Sequence, residues 1–242
     1  MPRDQSEAII LRTSPLGEQD KIVVFFCREK GVVRGVAKGA RKFGNRFGSG
    51  LEPMSRVTLF YYEKEHRDLV TISGCDLLDS FFEVQTEPET AFLLSYLTEL
   101  IEEFSPPHAK DEILFRLLLS ILNGLKSGGD RRFLAAYFEA WVLHLNGFLP
   151  DLRTCRKCLK SVREAWLSAR KDGAYCADCA PQKKDEVPGE IHDFLHWIKK
   201  NPPPGKDEEP LRPDRVARIR KSLQAMIIFH LEREPKTLRY LK

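Results

Sequence analysis

No apolar run in this 242-residue chain approaches the roughly 18 residues that a membrane span needs. The N-terminus, Met1-Pro2-Arg3-Asp4, also lacks a basic stretch leading into an apolar one, so a secreted or membrane destination is not expected and a cytoplasmic one is. Catalytic signatures are missing too. There is no G-x-S-x-G elbow, no G-x-G-x-x-G after a strand, and no H-x-E paired with P-C-x-x-C. The glycine-rich stretch around Lys38 has no Ser or Thr after the lysine and no P-loop spacing, so nucleotide binding and hydrolysis are not expected. These absences point away from an enzyme. With 42% hydrophobic and 31% charged residues, the composition excludes a disordered or fibrous chain. No repeat at solenoid spacing is present.

What is present is unevenly placed charge. The net charge is +4, but residues 28–46 alone carry +6, from Arg28, Lys30, Arg34, Lys38, Arg41, Lys42 and Arg46 against Glu29. Residues 151–184 carry +5, which leaves −7 for the remainder. Two basic segments on an acidic background are the footprint of a polyanion site, although two solvated basic faces would look the same.

Five short runs rich in β-branched and aromatic residues predict strands near Glu7–Thr13, Lys21–Arg28, Val32–Lys38, Arg56–Glu63 and Leu69–Cys75. The connections at Glu29-Lys30-Gly31 and at residues 64–68 are short enough for hairpins, and only the third-to-fourth link is long. That pattern suits an OB-type barrel, with an SH3-like barrel as the alternative. From Pro88 the apolar period becomes helical. Stripes through Leu93–Phe104, Ile113–Leu125 and Phe133–Leu145 predict three helices, and two more are expected near Ile191–Lys199 and Asp214–Leu231. The expected fold is therefore α+β: an N-terminal five-stranded OB-type β-barrel, then an α-helical domain with an inserted four-cysteine module. The expected boundaries are 1–80 for the barrel, 81–150 and 185–242 for the two parts of the helical domain, and 151–184 for the module.

Cys155-x-x-Cys158 and Cys176-x-x-Cys179, seventeen residues apart, have zinc-ribbon or zinc-knuckle spacing. Each pair supplies two thiolates, and together they fill a tetrahedral site with no position left for a catalytic water. The rival readings are disulfides or a redox pair. Neither suits a cytosolic chain without a βαβ pattern around the motif. Cys27 and Cys75 read as buried small hydrophobes.

In the basic run, strand alternation would put Arg34, Val36 and Lys38 on one face, and the loop through Arg41, Lys42 and Arg46 would extend it. Phe43 and Phe47 either stack on unpaired bases or plug the barrel end. His192 and His196 have metal-ligand spacing on a helix, but an exposed or structural role fits them as well.

This order of elements resembles the bacterial recombination mediator family RecO. The carriers are Glu7-Ala-Ile-Ile-Leu-Arg12, Gly17-Glu-Gln-Asp-Lys21, Val36-Ala-Lys-Gly-Ala-Arg-Lys42, Leu51-Glu-Pro53, Phe138-Glu-Ala-Trp-Val-Leu-His-Leu-Asn-Gly-Phe148 and Lys236-Thr-Leu-Arg-Tyr-Leu241. The chain departs from many zinc-bearing members at Leu159, where glycine usually follows the first cysteine pair. The resemblance implies binding of single- and double-stranded DNA, strand annealing, and work with RecR to load RecA on DNA coated by single-strand-binding protein. It implies a nucleoid-associated cytoplasmic protein. It also implies docking of the acidic, Phe-terminated tail of single-strand-binding protein. Arg131 and Arg132, followed by Phe133 and Tyr137, could supply cations and an apolar wall for that tail, unless both arginines are solvated residues over a closed core. An RNA- or ribosome-associated OB-fold and zinc-ribbon protein is the alternative function, and an adaptor whose basic face binds an acidic protein is a third.

Overall fold

The computed structural model describes residues 4–63, 69–106, 108–206 and 211–241. The chain divides into two compact units, Met1–Leu122 and Asn123–Lys242.

The first unit opens with five strands: β1 (Asp4–Leu16), β2 (Asp20–Cys27), β3 (Gly31–Ala37), β4 (Arg56–Tyr62) and β5 (Val70–Asp79). They close in the order β1-β2-β3-β5-β4, with β4 returning to pair with β1. All neighbours are antiparallel except β3 and β5. This is the OB-type barrel, and the single parallel pair follows from the long link after β3. Ala8, Ile10, Val23, Phe25, Val33 and Leu59 are among the side chains that fill it. Burying each large one contributes roughly 1.5–3 kcal/mol. At the parallel seam Gly35 is required sterically, because a Cβ there would lie 2.9 Å from Val70 Cγ2. The expected hairpin at residues 64–68 lies outside the described residues.

Helix α1 (Pro88–Phe104) starts with proline in its first turn, where the missing N–H costs nothing. Helix α2 (Glu112–Lys126) follows and spans the division between the units.

The second unit holds α3 (Arg131–Leu145), then three short strands, β6 (Ala165–Leu167), β7 (Ala174–Tyr175) and β8 (Glu186–Val187), then α4 (Glu190–Ile198) and α5 (Pro213–Leu231). Gly147, at φ +72°, follows the end of α3 in the left-handed conformation that terminates helices. One tie in this unit is polar. Glu139 of α3, fully buried, accepts from Arg220 Nη2 at 2.9 Å and from Gln224 Nε2 at 3.2 Å, both on α5. These donors, one of them cationic, keep that carboxylate from being an uncompensated buried charge. Among the described residues, no helix is long and apolar enough to cross a membrane.

Candidate nucleic-acid interface and metal centre

The basic run of residues 28–46 separates into two groups. Arg28 contacts Glu7 at 2.7 Å and stacks over Phe115 at 5.0 Å. Lys30 Nζ donates to Asp4 at 2.9 Å and to Glu63 at 2.6 Å. Burial lowers the Lys30 pKa, but hydrogen bonds to Glu63 and Asp4 outweigh it and hold the ammonium well above its ordinary range. Arg34 lies 3.7 Å from the Glu102 carboxylate of α1, which also accepts two hydrogen bonds from Arg12. These three cations are partly or wholly neutralised by the barrel and the helices of the first unit. Arg34 is therefore a weaker candidate for a polyanion than its exposed position on β3 suggested.

Lys38, Arg41, Lys42 and Arg46 are different. All four are exposed in the loop after β3, and none is ion-paired among the described residues. The loop is held against the β1–β2 turn. Arg41 Nη1 donates to the Gly17 carbonyl at 2.7 Å, the Arg41 N–H to the Gln19 carbonyl at 3.0 Å, and the Gly39 N–H to Asp20 Oδ1 at 2.8 Å. The first inter-strand loop of an OB barrel is one of its usual ligand-binding elements, so these bases stand beside it. Lys38 lies just past the end of β3, not on the strand face that alternation implied.

The two phenylalanines also separate. Phe47 is 3% exposed and belongs to the barrel core, with Arg46 packed over its ring at 4.8 Å. Phe43 is fully exposed. Phe47 is thus the plug, and Phe43 is free to stack.

In the second unit, Cys155, Cys158, Cys176 and Cys179 bring their four sulfurs within 4.8 Å of one another. Cys158 and Cys176 sulfurs are 3.8 Å apart, far too long for a disulfide. That separation matches the edge of a sulfur tetrahedron around an ion bonded at about 2.3 Å, which is about 3.8 Å. Backbone N–H groups of Cys158 and Cys176 pull the Cys155 thiol down to about 6. Neighbouring thiols push Cys179 up to about 12. Four thiols this close ionise together only around a cation, so the donor set fits a metal. Local geometry supports the module. Cys155 and Leu159 close a tight turn through the Leu159 N–H, which donates to the Cys155 carbonyl at 2.8 Å. Leu159 sits at φ +60°, the left-handed conformation that glycine adopts freely. The absent glycine is accommodated with backbone strain.

Cys27 is fully buried and Cys75 partly so, and burial raises both thiols to about 11, as expected of small hydrophobes. His192 and His196 join no ligand cluster among the described residues. His192 Nε2 lies 3.2 Å from the Arg163 carbonyl. Both histidines line a cleft of about 420 Å³ with Leu152, Arg153, Leu195 and Lys199.

Comparison with known proteins decides the family. The model described as Recombination protein O N terminal matches residues 1–81, and that described as Recombination protein O C terminal matches residues 85–239. The chain belongs to the RecO family. The chain is 33% identical to the DNA repair protein RecO of Koribacter versatilis, over 98% of this chain and 97% of that one. It is 30% identical to the RecO of Syntrophus aciditrophicus over 98% and 94%. RecO membership assigns the chain to DNA repair and recombination.

The wall expected at the start of α3 is closed. Phe133 is 2% exposed and packs edge-on against Phe194 and Trp197 of the α4 segment. Tyr137 is buried, and its hydroxyl donates to the carbonyls of Ile198 and Asn201. The helix start is occupied as well, since Asp130 Oδ1 accepts the Phe133 N–H at 2.7 Å. The physical reason is the N-cap aspartate followed by a stripe that faces inward. Arg131 and Arg132 begin the helix, but they do not stand over an open apolar slot formed by Phe133 and Tyr137.

Proposed function

We propose that this RecO-family chain is a non-enzymatic recombination mediator. It binds single- and double-stranded DNA, anneals complementary strands and, with RecR, helps load RecA on DNA coated by single-strand-binding protein. The observation that carries the reading is the loop after β3, where four exposed cations with no ion-pair partner among the described residues flank an exposed Phe43 in sequence, beside the first barrel loop. Cations there hold phosphates without reading sequence, and an exposed ring adds sequence-tolerant stacking on unpaired bases. Arg34 would contribute at the margin. Cys155, Cys158, Cys176 and Cys179 would hold one Zn²⁺ whose contribution is structural, because four protein thiolates leave no position for chemistry.

Docking of the acidic tail of single-strand-binding protein belongs to this proposal, at a site other than the start of α3. The cleft bounded by His144, Leu152, Arg153, Leu195, His196 and Lys199 combines apolar wall with cations, as a Phe-terminated acidic peptide requires.

The test compares affinities for single-stranded DNA, duplex DNA and RNA of equal length across a salt series. Removing one phosphate-binding cation should reduce the slope of log affinity against log salt by about one unit, slightly less on single strands. Lys38→Ala with Arg41→Ala should lower affinity and slope for every DNA sequence alike. Unchanged slope in that variant places the DNA site elsewhere, and preference for RNA over both DNAs favours the ribosome-associated alternative.

A further inference from the structure

The small sheet of the cysteine module has one closed face and one open face. Its order is β7-β6-β8. Ala165, Leu167, Ala174 and Val187 point inward and are buried. Trp166, by alternation, points the other way, in register with Tyr175 on one side and Glu186 on the other. Directly opposed residues on one sheet face have Cβ atoms about 4.5–5.5 Å apart, so the side chains of Trp166 and Tyr175 leave the sheet side by side. Both are half-buried.

The module that carries this face is basic, with a net charge of +5 over residues 151–184. Lys183 Nζ stands over the Trp166 ring, 5.2 Å from its centroid, so a base would stack in place of this ammonium and gain it as a phosphate partner. Glu186, in register with Trp166, pairs with Arg218 Nη2 at 2.6 Å, an arginine that also contacts Glu190 at 3.3 Å. Lys157, Lys160, Arg163 and Lys184 are exposed and have no ion-pair partner among the described residues. Two aromatic side chains on one sheet face, with a cation at one of them, offer a π surface for flat bases and charge for their phosphates. An acidic peptide would use the cations and leave the rings idle.

We propose that the open face of this sheet is a second nucleic-acid contact, in which Trp166 and Tyr175 stack on unpaired bases while Lys183 and its basic neighbours hold the backbone. The inference rests on the DNA-binding reading above but uses none of the residues of the barrel loop.

Tryptophan emission tests it, because a base stacked on an indole quenches it. The full-length protein is titrated with oligothymidine and with an abasic oligonucleotide of equal length and charge. Wild type should lose emission with the first and not with the second. Trp166→Phe keeps a ring in the strand, so it should retain affinity and lose the quench. Trp166→Ser should weaken oligothymidine binding about tenfold, the scale of one base left unstacked. Lys38→Ala with Arg41→Ala, at saturating oligonucleotide, should keep the quench. A quench that survives in Trp166→Phe, or that the abasic strand produces equally, overturns the proposal. So does oligothymidine binding with no change in wild-type emission, and the DNA-binding reading then stands alone. Failure of wild type to bind any oligonucleotide overturns both.

Discussion

Phe43 and Phe47, one helical turn apart in sequence within the same loop, have opposite fates: Phe43 is fully exposed and Phe47 is 3% exposed inside the barrel. Composition and spacing treat them alike, and only the fold separates the ring that packs in the core from the ring left in solvent. Phe47→Ala should therefore destabilise the barrel by about 3–5 kcal/mol, the cost of a large core deletion. Phe43→Ala should leave the melting temperature unchanged and weaken single-strand binding by about 1–3 kcal/mol. Thermal melts and oligonucleotide titrations of the two variants check this, and equal effects on stability would contradict the division.

Leu159 supplies a second prediction. A non-glycine residue in the left-handed region costs about 1–2 kcal/mol, and Leu159 is also 75% exposed, so its side chain returns little. Leu159→Gly should tighten the turn between the first cysteine pair and slow loss of metal to a chelator. Elemental analysis should give one zinc per chain for both proteins. Chelation should unfold the module locally while the helices keep their far-ultraviolet signal. A metal content near zero in folded protein after zinc-replete expression would remove zinc from the account.

His230 gives a pH dependence. Its ring stacks on Phe148 with centroids 4.0 Å apart, its Nε2 is buried with no hydrogen-bond partner among the described residues, and burial holds its pKa below the ordinary 6.5. The unfolded chain therefore binds the proton more readily than the folded one. This contribution to stability is fully present above about pH 6.5 and declines as the pH falls below it. His230→Phe should flatten the fall in urea midpoint between neutral and mildly acidic pH. A fall of the same steepness in the variant would assign the dependence to other groups.

Much of this fold is written locally. Five runs of β-branched and aromatic residues, a single long link and the change of period at Pro88 suffice for the barrel and the helices, because each strand and helix declares its buried face by spacing alone. The cysteine spacing likewise anticipates the gathered sulfurs. Pairing between distant residues is not written in spacing. Nothing local distinguishes Arg34, drawn to Glu102, from Lys38, which has no ion-pair partner among the described residues, although both sit in the same basic run. Glu139 interrupts an apolar helix, and only the approach of Arg220 and Gln224 makes it a buried, satisfied carboxylate. The start of α3 carried a readable warning: Asp130 is a strong N-cap residue, and an N-cap side chain occupies the N–H groups that an incoming anion would need. Trp166 lies in a three-residue strand, too short for alternation to reveal an open aromatic face.

The most direct measurement is the rate at which complementary strands anneal when both are coated with single-strand-binding protein. Wild type should accelerate annealing, and Lys38→Ala with Arg41→Ala should lose most of that acceleration while keeping the wild-type melting temperature. Coated strands that stay separate in the presence of wild type, or a double variant that anneals them as fast, would contradict annealing by the loop after β3.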